Sequence, residues 1–437
     1  MSDLFFDQII DTIFLQDRNV FLTGGAGTGK SFICKKIIDY AKSKKISVVV
    51  TASTGKAAVN IQGVSLHSFF KFAISQNLDE LKLRDKKQNL KELNKILAKT
   101  ELIVIDEISM VSADLMDMIY FRLKNSKSKA KLLIVGDFYQ LPPIQKSTQN
   151  LIFNSKFAFE SSSWEKLNLV NFMLIKSKRT NDEHFYELLS KIRLGICDES
   201  VREFLQSRLV EYLPDDIIAL FGKNIDVDKL NQIRLNEIDS EVFTSYAIST
   251  KFDPNLSEQS YNKWIQSINL PLELNLKIGA KVMFVVNKWG EFYNGEQGII
   301  SDLYYKDDVL VAVVEKENYR QIEVVPYNYE LSEYILSDDE IKQELRATFS
   351  QLPLRLAYAI TIHKSQGMSL SKFSCDLNNI FAKGQLYVAL SRAISPDSLN
   401  LIFSKNIKFD KYLKDQICSD KIVDDFYANT DFIKETQ

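Results

Sequence analysis

Histidine is scarce in this chain: three residues in 437, His67, His184 and His363, none near another in sequence. No metal centre built on imidazoles is indicated, because such centres gather three or four nitrogen or sulfur ligands and none of these has a third ligand nearby in sequence. Cysteine is equally thin. Cys34, Cys197, Cys375 and Cys418 show no C-x-x-C spacing, so neither a zinc ribbon nor a disulfide framework is expected, and a reducing compartment is the simplest setting. No apolar run approaches the ~18 residues that span a bilayer. An excess of one charge is missing as well, since 55 basic against 57 acidic residues leave a net charge of −2. Bulk attraction to a polyanion is therefore weak, and any nucleic-acid binding has to come from a local groove. The lysine-rich stretches 82–99 and 124–131 are either such grooves or solvated helix faces. The N-terminal MSDLFFDQIIDTIF carries Asp3, Asp7 and Asp11 where a targeting peptide would carry basic residues. No targeting peptide is expected, and the expected setting is the cytoplasm, with nucleoid association in a bacterial cell.

What remains is the composition of an ordinary globular protein, 45% hydrophobic and 26% charged. A chain of 437 residues exceeds one hydrophobic core, which stops growing at roughly 250–300 residues, so two or three domains are expected. Four short runs, VFLT, SVVVTA, LIVID and KLLIVGD, are continuously apolar, as strands buried on both faces of a parallel sheet are. Helical patterns such as SFICKKIIDYA separate them, which predicts an α/β doubly wound domain over 1–178. A second α/β set follows over 179–275 and 352–425. Between them, 276–351 reads as short strands spaced by Gly, Asn and Asp turns, the pattern of a small β-barrel. Residues 426–437 read as a polar tail.

The stretch GGAGTGKS, Gly24 to Ser31, is G-x-x-x-x-G-K-S placed directly after a strand and directly before a helix. In that context backbone N–H groups wrap the phosphates of a nucleotide, Lys30 reaches the β/γ-phosphates and Ser31 ligates Mg2+. LIVIDE supplies the partner: an apolar strand carries Asp106 to the metal, and Glu107 is placed to orient or deprotonate the attacking water. The guanine-reading N-K-x-D is missing, so ATP is the expected nucleotide. GDFYQLPPI, with Gln140, and the hydroxyl- and aromatic-rich TASTGKAAVNIQGVSLHSFF and TIHKSQG follow strands where a plain ATPase needs no such chemistry. Hydroxyls for phosphate and aromatics for bases are what a single-stranded nucleic-acid platform requires.

In this order, GGAGTGKS, TASTGKAA with SLHSFF, IDEISM, GDFYQLPPI, KRTNDEHFYELLSKIRLG, ITIHKSQGMSL and GQLYVALSRA resemble the motifs of superfamily one helicases. More narrowly they are similar to the PIF (petite integration frequency) branch, a relative of RecD. The resemblance implies two RecA-like domains with ATP and Mg2+ between them, an SH3-like insertion at 276–351, and a small DNA-wedge insertion at about 64–98. It implies 5′-to-3′ movement on single-stranded DNA and unwinding of duplex or structured DNA with 5′ tails, in replication, repair, recombination or telomere maintenance. The alternative it leaves is a DNA-stimulated translocase serving a RecD-like repair complex. A monomer without membrane association is implied.

By motif, Gln8 would contact adenine, and Gly25, Gly27, Thr28, Gly29, Lys30 and Ser31 would hold the phosphates. Gln140 would sense the γ-phosphate, Gly367 would lie near the nucleotide, and Arg179 and Arg392 would stabilise the transferring phosphoryl group. Such an arginine is worth roughly 10³–10⁵ in kcat. Thr51, His67, Ser68, Phe69, Phe138, Pro142, Thr361, His363 and Lys364 would follow the DNA. The sequence departs from the family in NSKSKAKLLIV, which lacks the usual Gly-Gly pair, and at Ser53, where proline is common.

Overall fold

A computed structural model describes residues 3–53, 61, 63–72, 75–85, 87–143, 157–214, 217–288, 290–337 and 339–435. The chain divides into two compact units. The first comprises Met1–Lys178, Leu331–Arg346 and Asp420–Gln437; the second comprises Arg179–Glu330 and Ala347–Ser419.

The centre of the first unit is a parallel sheet of seven strands. Six of them are β1 (Val20–Gly24), β2 (Val48–Ala52), β3 (Val64–Ser65), β4 (Leu102–Asp106), β5 (Lys131–Val135) and β6 (Val170–Leu174). The seventh is the strand Ile433–Lys434, and the order runs 433–434, β6, β1, β5, β4, β2, β3. All of β1 and β4 is buried, which explains their unbroken apolar runs, because successive side chains enter two different cores. Val20, Leu22, Val104 and Leu133 pack with Phe5, Ile9 and Ile13 of helix α1 (Asp3–Phe14) and with Ile33 and Ile37 of helix α2 (Lys30–Ser43). Phe21, Ile103, Ile105 and Ile134 face the other way, toward Met116, Ile119 and Phe138. That second core also takes in the segment read as an insertion at about 64–98, through Leu66, Phe69, Phe70, Leu93 and Leu97. Arg122, 2% exposed, fastens it: the guanidinium donates to both oxygens of Asp85 at 2.5 and 2.7 Å and to the Phe70 carbonyl at 3.0 Å.

The second unit holds a parallel four-stranded sheet ordered Ala359–Thr361, Ile218–Phe221, Phe373–Asp376, Leu399–Ile402. Its inserted β segment forms a five-stranded sheet whose adjacent strands run antiparallel, from Gln321–Val324 at one edge to Leu354–Leu356 at the other. The hairpin segment Leu331–Arg346 lies within the stretch read as barrel but groups with the first unit. A further correction concerns the chain's last residues. Instead of a tail they form the helix Lys421–Ala428 and the strand Ile433–Lys434, which pairs with β6 in the first unit. The cause is the aromatic set Phe426, Tyr427 and Phe432, spaced through an otherwise polar stretch and packed against the second core.

Candidate functional site

The nucleotide site starts where β1 ends. Gly29, at φ 94°, holds a left-handed turn directly ahead of α2, a conformation that glycine adopts without steric cost. Thr28 is buried and donates from its hydroxyl to the Gly25 carbonyl at 2.9 Å. Lys30 donates from Nζ to the carbonyls of Gly24 and Gly25 at 2.7 and 2.9 Å. These carbonyls hold the ammonium at the loop, where a phosphate would compete for it. The Gly27 carbonyl accepts from the Lys178 amide at 2.7 Å. Ser31 is exposed at the start of α2, and Gln8 is exposed on α1.

The carboxylates stand at the end of β4. Asp106 is 7% exposed and accepts the Glu107 amide at 2.8 Å. Burial, reinforced by the neighbouring Glu107 charge, pushes its pKa up to about 7 despite the attraction of Lys30. Glu107 has φ 55° and ψ 50°, a left-handed conformation unusual for a non-glycine residue and a form of strain that concentrates at functional positions. The neighbouring loop presses close there, since a Cβ on Gly136 would meet the Ile108 amide nitrogen at 2.9 Å. Gln140 follows in the same loop, 7% exposed, its amide donating to the Asp137 carbonyl at 3.0 Å.

Two adjacent carboxylates, one of them buried at a raised pKa, fit a hard divalent cation with oxygen ligands. Among the described residues no group of three or more His, Cys, Asp or Glu could hold a metal. Mg2+ bound by one or two protein oxygens takes its other ligands from phosphate and water, so the donor set of Ser31 and Asp106 fits that ion.

In the second unit, Arg179 and Arg392 come together around Ser391. Arg179 donates to the Ser369 hydroxyl at 2.8 Å and to the Ser391 carbonyl at 2.5 Å, and desolvation lowers its pKa to about 10. Arg392 is 1% exposed. It donates to the Ser391 hydroxyl and the Val388 carbonyl, both at 2.8 Å, and to the Met368 and Ser365 carbonyls at 3.3 and 3.4 Å. The charge just beyond the buried helix Gln385–Leu390 is thus held largely by backbone carbonyls. Gly367, at φ 82°, turns the chain between these acceptors.

Of the residues assigned to DNA, four, Thr51, Phe69, Phe138 and Thr361, are corrected by their packing. Thr51 is fully buried and its hydroxyl donates to the Val104 carbonyl at 2.6 Å. Phe69 and Phe138 are 4% and 1% exposed. The Phe69 ring meets Phe70 and Tyr334 edge-on, and Phe138 sits among Phe157, Phe159, Trp164 and Phe426. No ring face is left for a base. His67 is exposed, whereas Ser68 and Pro142 are half-buried; residues 54–58 of the TASTGKAA motif lie outside the described set. Thr361 is buried, and its hydroxyl accepts the Lys364 amide at 3.3 Å.

Two neighbours escaped sequence reasoning. Phe381, 65% exposed, stacks on His363 with centroids 6.2 Å apart and planes at 22°. Arg355 is the second: burial lowers the Lys364 pKa, the nearby Arg355 charge adds to the shift, and Asp228 opposes it. Neither sits in a recognisable motif. An aromatic just ahead of KGQLYVAL was the one signal for Phe381.

Comparison with known proteins agrees with this architecture. The family model for PIF1-like helicase matches residues 3–203. An ATP-dependent DNA helicase Pif1 of Campylobacter jejuni is 42% identical over 427 residues, covering 95% of this chain and 95% of that one. The crystal structure of Bacteroides sp Pif1 in complex with ADP-AlF4 matches with a TM-score of 0.82 at 29% identity, over 97% of this chain and 95% of that one. Bacteroides Pif1 bound to single-stranded DNA matches with a TM-score of 0.65 at 29% identity, over the same shares of the two chains. With its paired phosphate-loop and acidic-strand motifs and with relatives matched along nearly its whole length, the chain belongs to the PIF1-like helicases.

Proposed function

We propose that this protein is an ATP-dependent DNA helicase that moves 5′ to 3′ on single-stranded DNA and unwinds duplex or structured DNA bearing 5′ tails. The observation that carries the reading is the pairing of an intact phosphate loop with Asp106 and Glu107 at the end of β4 in one unit. Mg2+, when bound, supplies charge neutralisation at the β- and γ-phosphates. Lys30 binds those phosphates, Ser31 and Asp106 hold the ion, and Glu107 orients the attacking water and takes its proton. Gln140 senses the γ-phosphate. Arg179 and Arg392 supply positive charge during turnover, which requires Arg392 to exchange its carbonyl partners for phosphate oxygens. Gln8 contacts adenine.

His67, Ser68, Pro142, His363 and Lys364 form the DNA contacts of this reading. Among the described residues no helix is long and apolar enough to cross a membrane. A cytoplasmic setting, with work in replication, repair or recombination by a single chain, completes the proposal.

The test measures ATP turnover with and without single-stranded DNA, then unwinding of duplexes carrying a 5′ or a 3′ tail. DNA stimulation with unwinding from the 5′ tail alone is expected, and Lys30→Ala should abolish both. Stimulation without unwinding would shift the reading to a translocase within a larger complex; unwinding from the 3′ tail would overturn the polarity.

A further inference from the structure

The returning C-terminal segment meets the loop that carries Gln140. The Tyr427 hydroxyl lies 2.7 Å from the Thr23 hydroxyl, at the end of β1 just ahead of the phosphate loop. It accepts the Phe138 amide at 3.3 Å and donates to Asp137 Oδ1 at 3.5 Å. One side chain thus ties the entry of the phosphate loop to the base of the Gln140 loop. Thr23 and Asp137 are 0% and 1% exposed, so their polar groups need partners inside the protein. A second link runs beside the first. Tyr139 donates to Asp424 at 3.0 Å, and its ring stacks on Tyr427 with centroids 4.9 Å apart. The segment is itself anchored, because Phe426 stacks on Phe159 and the Glu435 amide donates to the Met173 carbonyl at 3.0 Å beside β6.

We infer that Tyr427 is a positioning residue for ATP hydrolysis: its hydroxyl fixes residues 137–139 against β1, and so sets where Gln140 meets the γ-phosphate. The inference rests on the assignment of Gln140 proposed above. Position matters at this scale because displacement of a catalytic group by ~1 Å can cost about 10²-fold in rate. In sequence this residue reads as part of a polar tail, with no hint of the contact.

Tyr427→Phe isolates the hydroxyl while keeping the ring stacks. The expected result is a roughly tenfold or greater fall in DNA-stimulated kcat, with KM for ATP close to the parent's and only the modest fall in melting temperature that losing one buried hydroxyl brings. In a Gln140→Ala background the same change should add little, as for two groups acting through one element. An unchanged kcat in Tyr427→Phe beside a clear loss in Gln140→Ala overturns the inference and leaves the site reading intact. Full additivity, or a loss accompanied by a large drop in melting temperature, also overturns it, since the hydroxyl would then act elsewhere or only on stability. No loss in Gln140→Ala removes the sensor assignment itself, and the inference with it.

Discussion

Asp106 carries opposed demands on one side chain. Holding a cation requires the carboxylate, yet burial and the adjacent Glu107 favour the neutral acid, with a pKa near 7 against an ordinary 3.8. Because folding raises this pKa, ionisation works against the folded state. The stability associated with a neutral Asp106 is fully present below about pH 3.8 and is lost as pH rises through about 7. In metal- and nucleotide-free buffer, Asp106→Asn should therefore melt above the parent at pH 8, and the gap should close toward pH 4. Thermal denaturation at the two pH values checks this, and an equal gap at both would contradict the buried titration. The same substitution should remove Mg2+-dependent turnover. Residues of this kind were legible in the sequence because a phosphate loop and an acidic strand end are local patterns. Arg392 was legible in identity alone: its position in the motif reads directly, whereas its carbonyl partners at Val388, Ser365 and Met368 come from the folded turn.

Elements show where reading from local pattern stops. Continuous apolar strands such as β4 announce themselves, because burial on both faces writes itself into consecutive residues. β3, two residues long, is invisible to periodicity, and among the described residues its pairing with β2 reaches only Thr51 and Ala52. The Val50 amide is instead accepted by the Tyr334 hydroxyl at 3.0 Å, from a segment 284 residues away in sequence. Tyr334 is 7% exposed and belongs to the core of the first unit. Neighbouring links are the Lys99–Asp339 pair at 2.6 Å and the Lys71–Glu333 pair. Nothing in the local composition of YNYELSEYILS signals such a role. Tyr334→Phe should leave the Val50 N–H unsatisfied and cost about 1–3 kcal/mol. The urea midpoint and amide exchange at Val50 measure it, and an unchanged midpoint with unaltered protection would show that the hairpin adds nothing to this edge.

For the molecule as a whole, charge decides how DNA can be held. A net charge of −2 gives no general attraction to phosphates, so binding must rest on a few placed cations and aromatic surfaces. In the second unit such a patch exists: His363 stacked on exposed Phe381, with Arg355 close enough to Lys364 for its charge to act on the ammonium. Desolvation and Arg355 both lower the Lys364 pKa, and a DNA phosphate placed there would relieve the repulsion between the two cations. Each phosphate neutralised on a single strand contributes about −0.7 to the slope of log K against log salt. Removing the ammonium with Lys364→Ala should accordingly weaken single-strand binding and flatten that slope by roughly 0.7. The loss should be similar for pyrimidine- and purine-rich strands, because a phosphate contact carries no base information. Fluorescence titration across a salt series measures both quantities. An unchanged slope would assign Lys364 to its local balance with Asp228 and move the DNA contacts of this unit elsewhere.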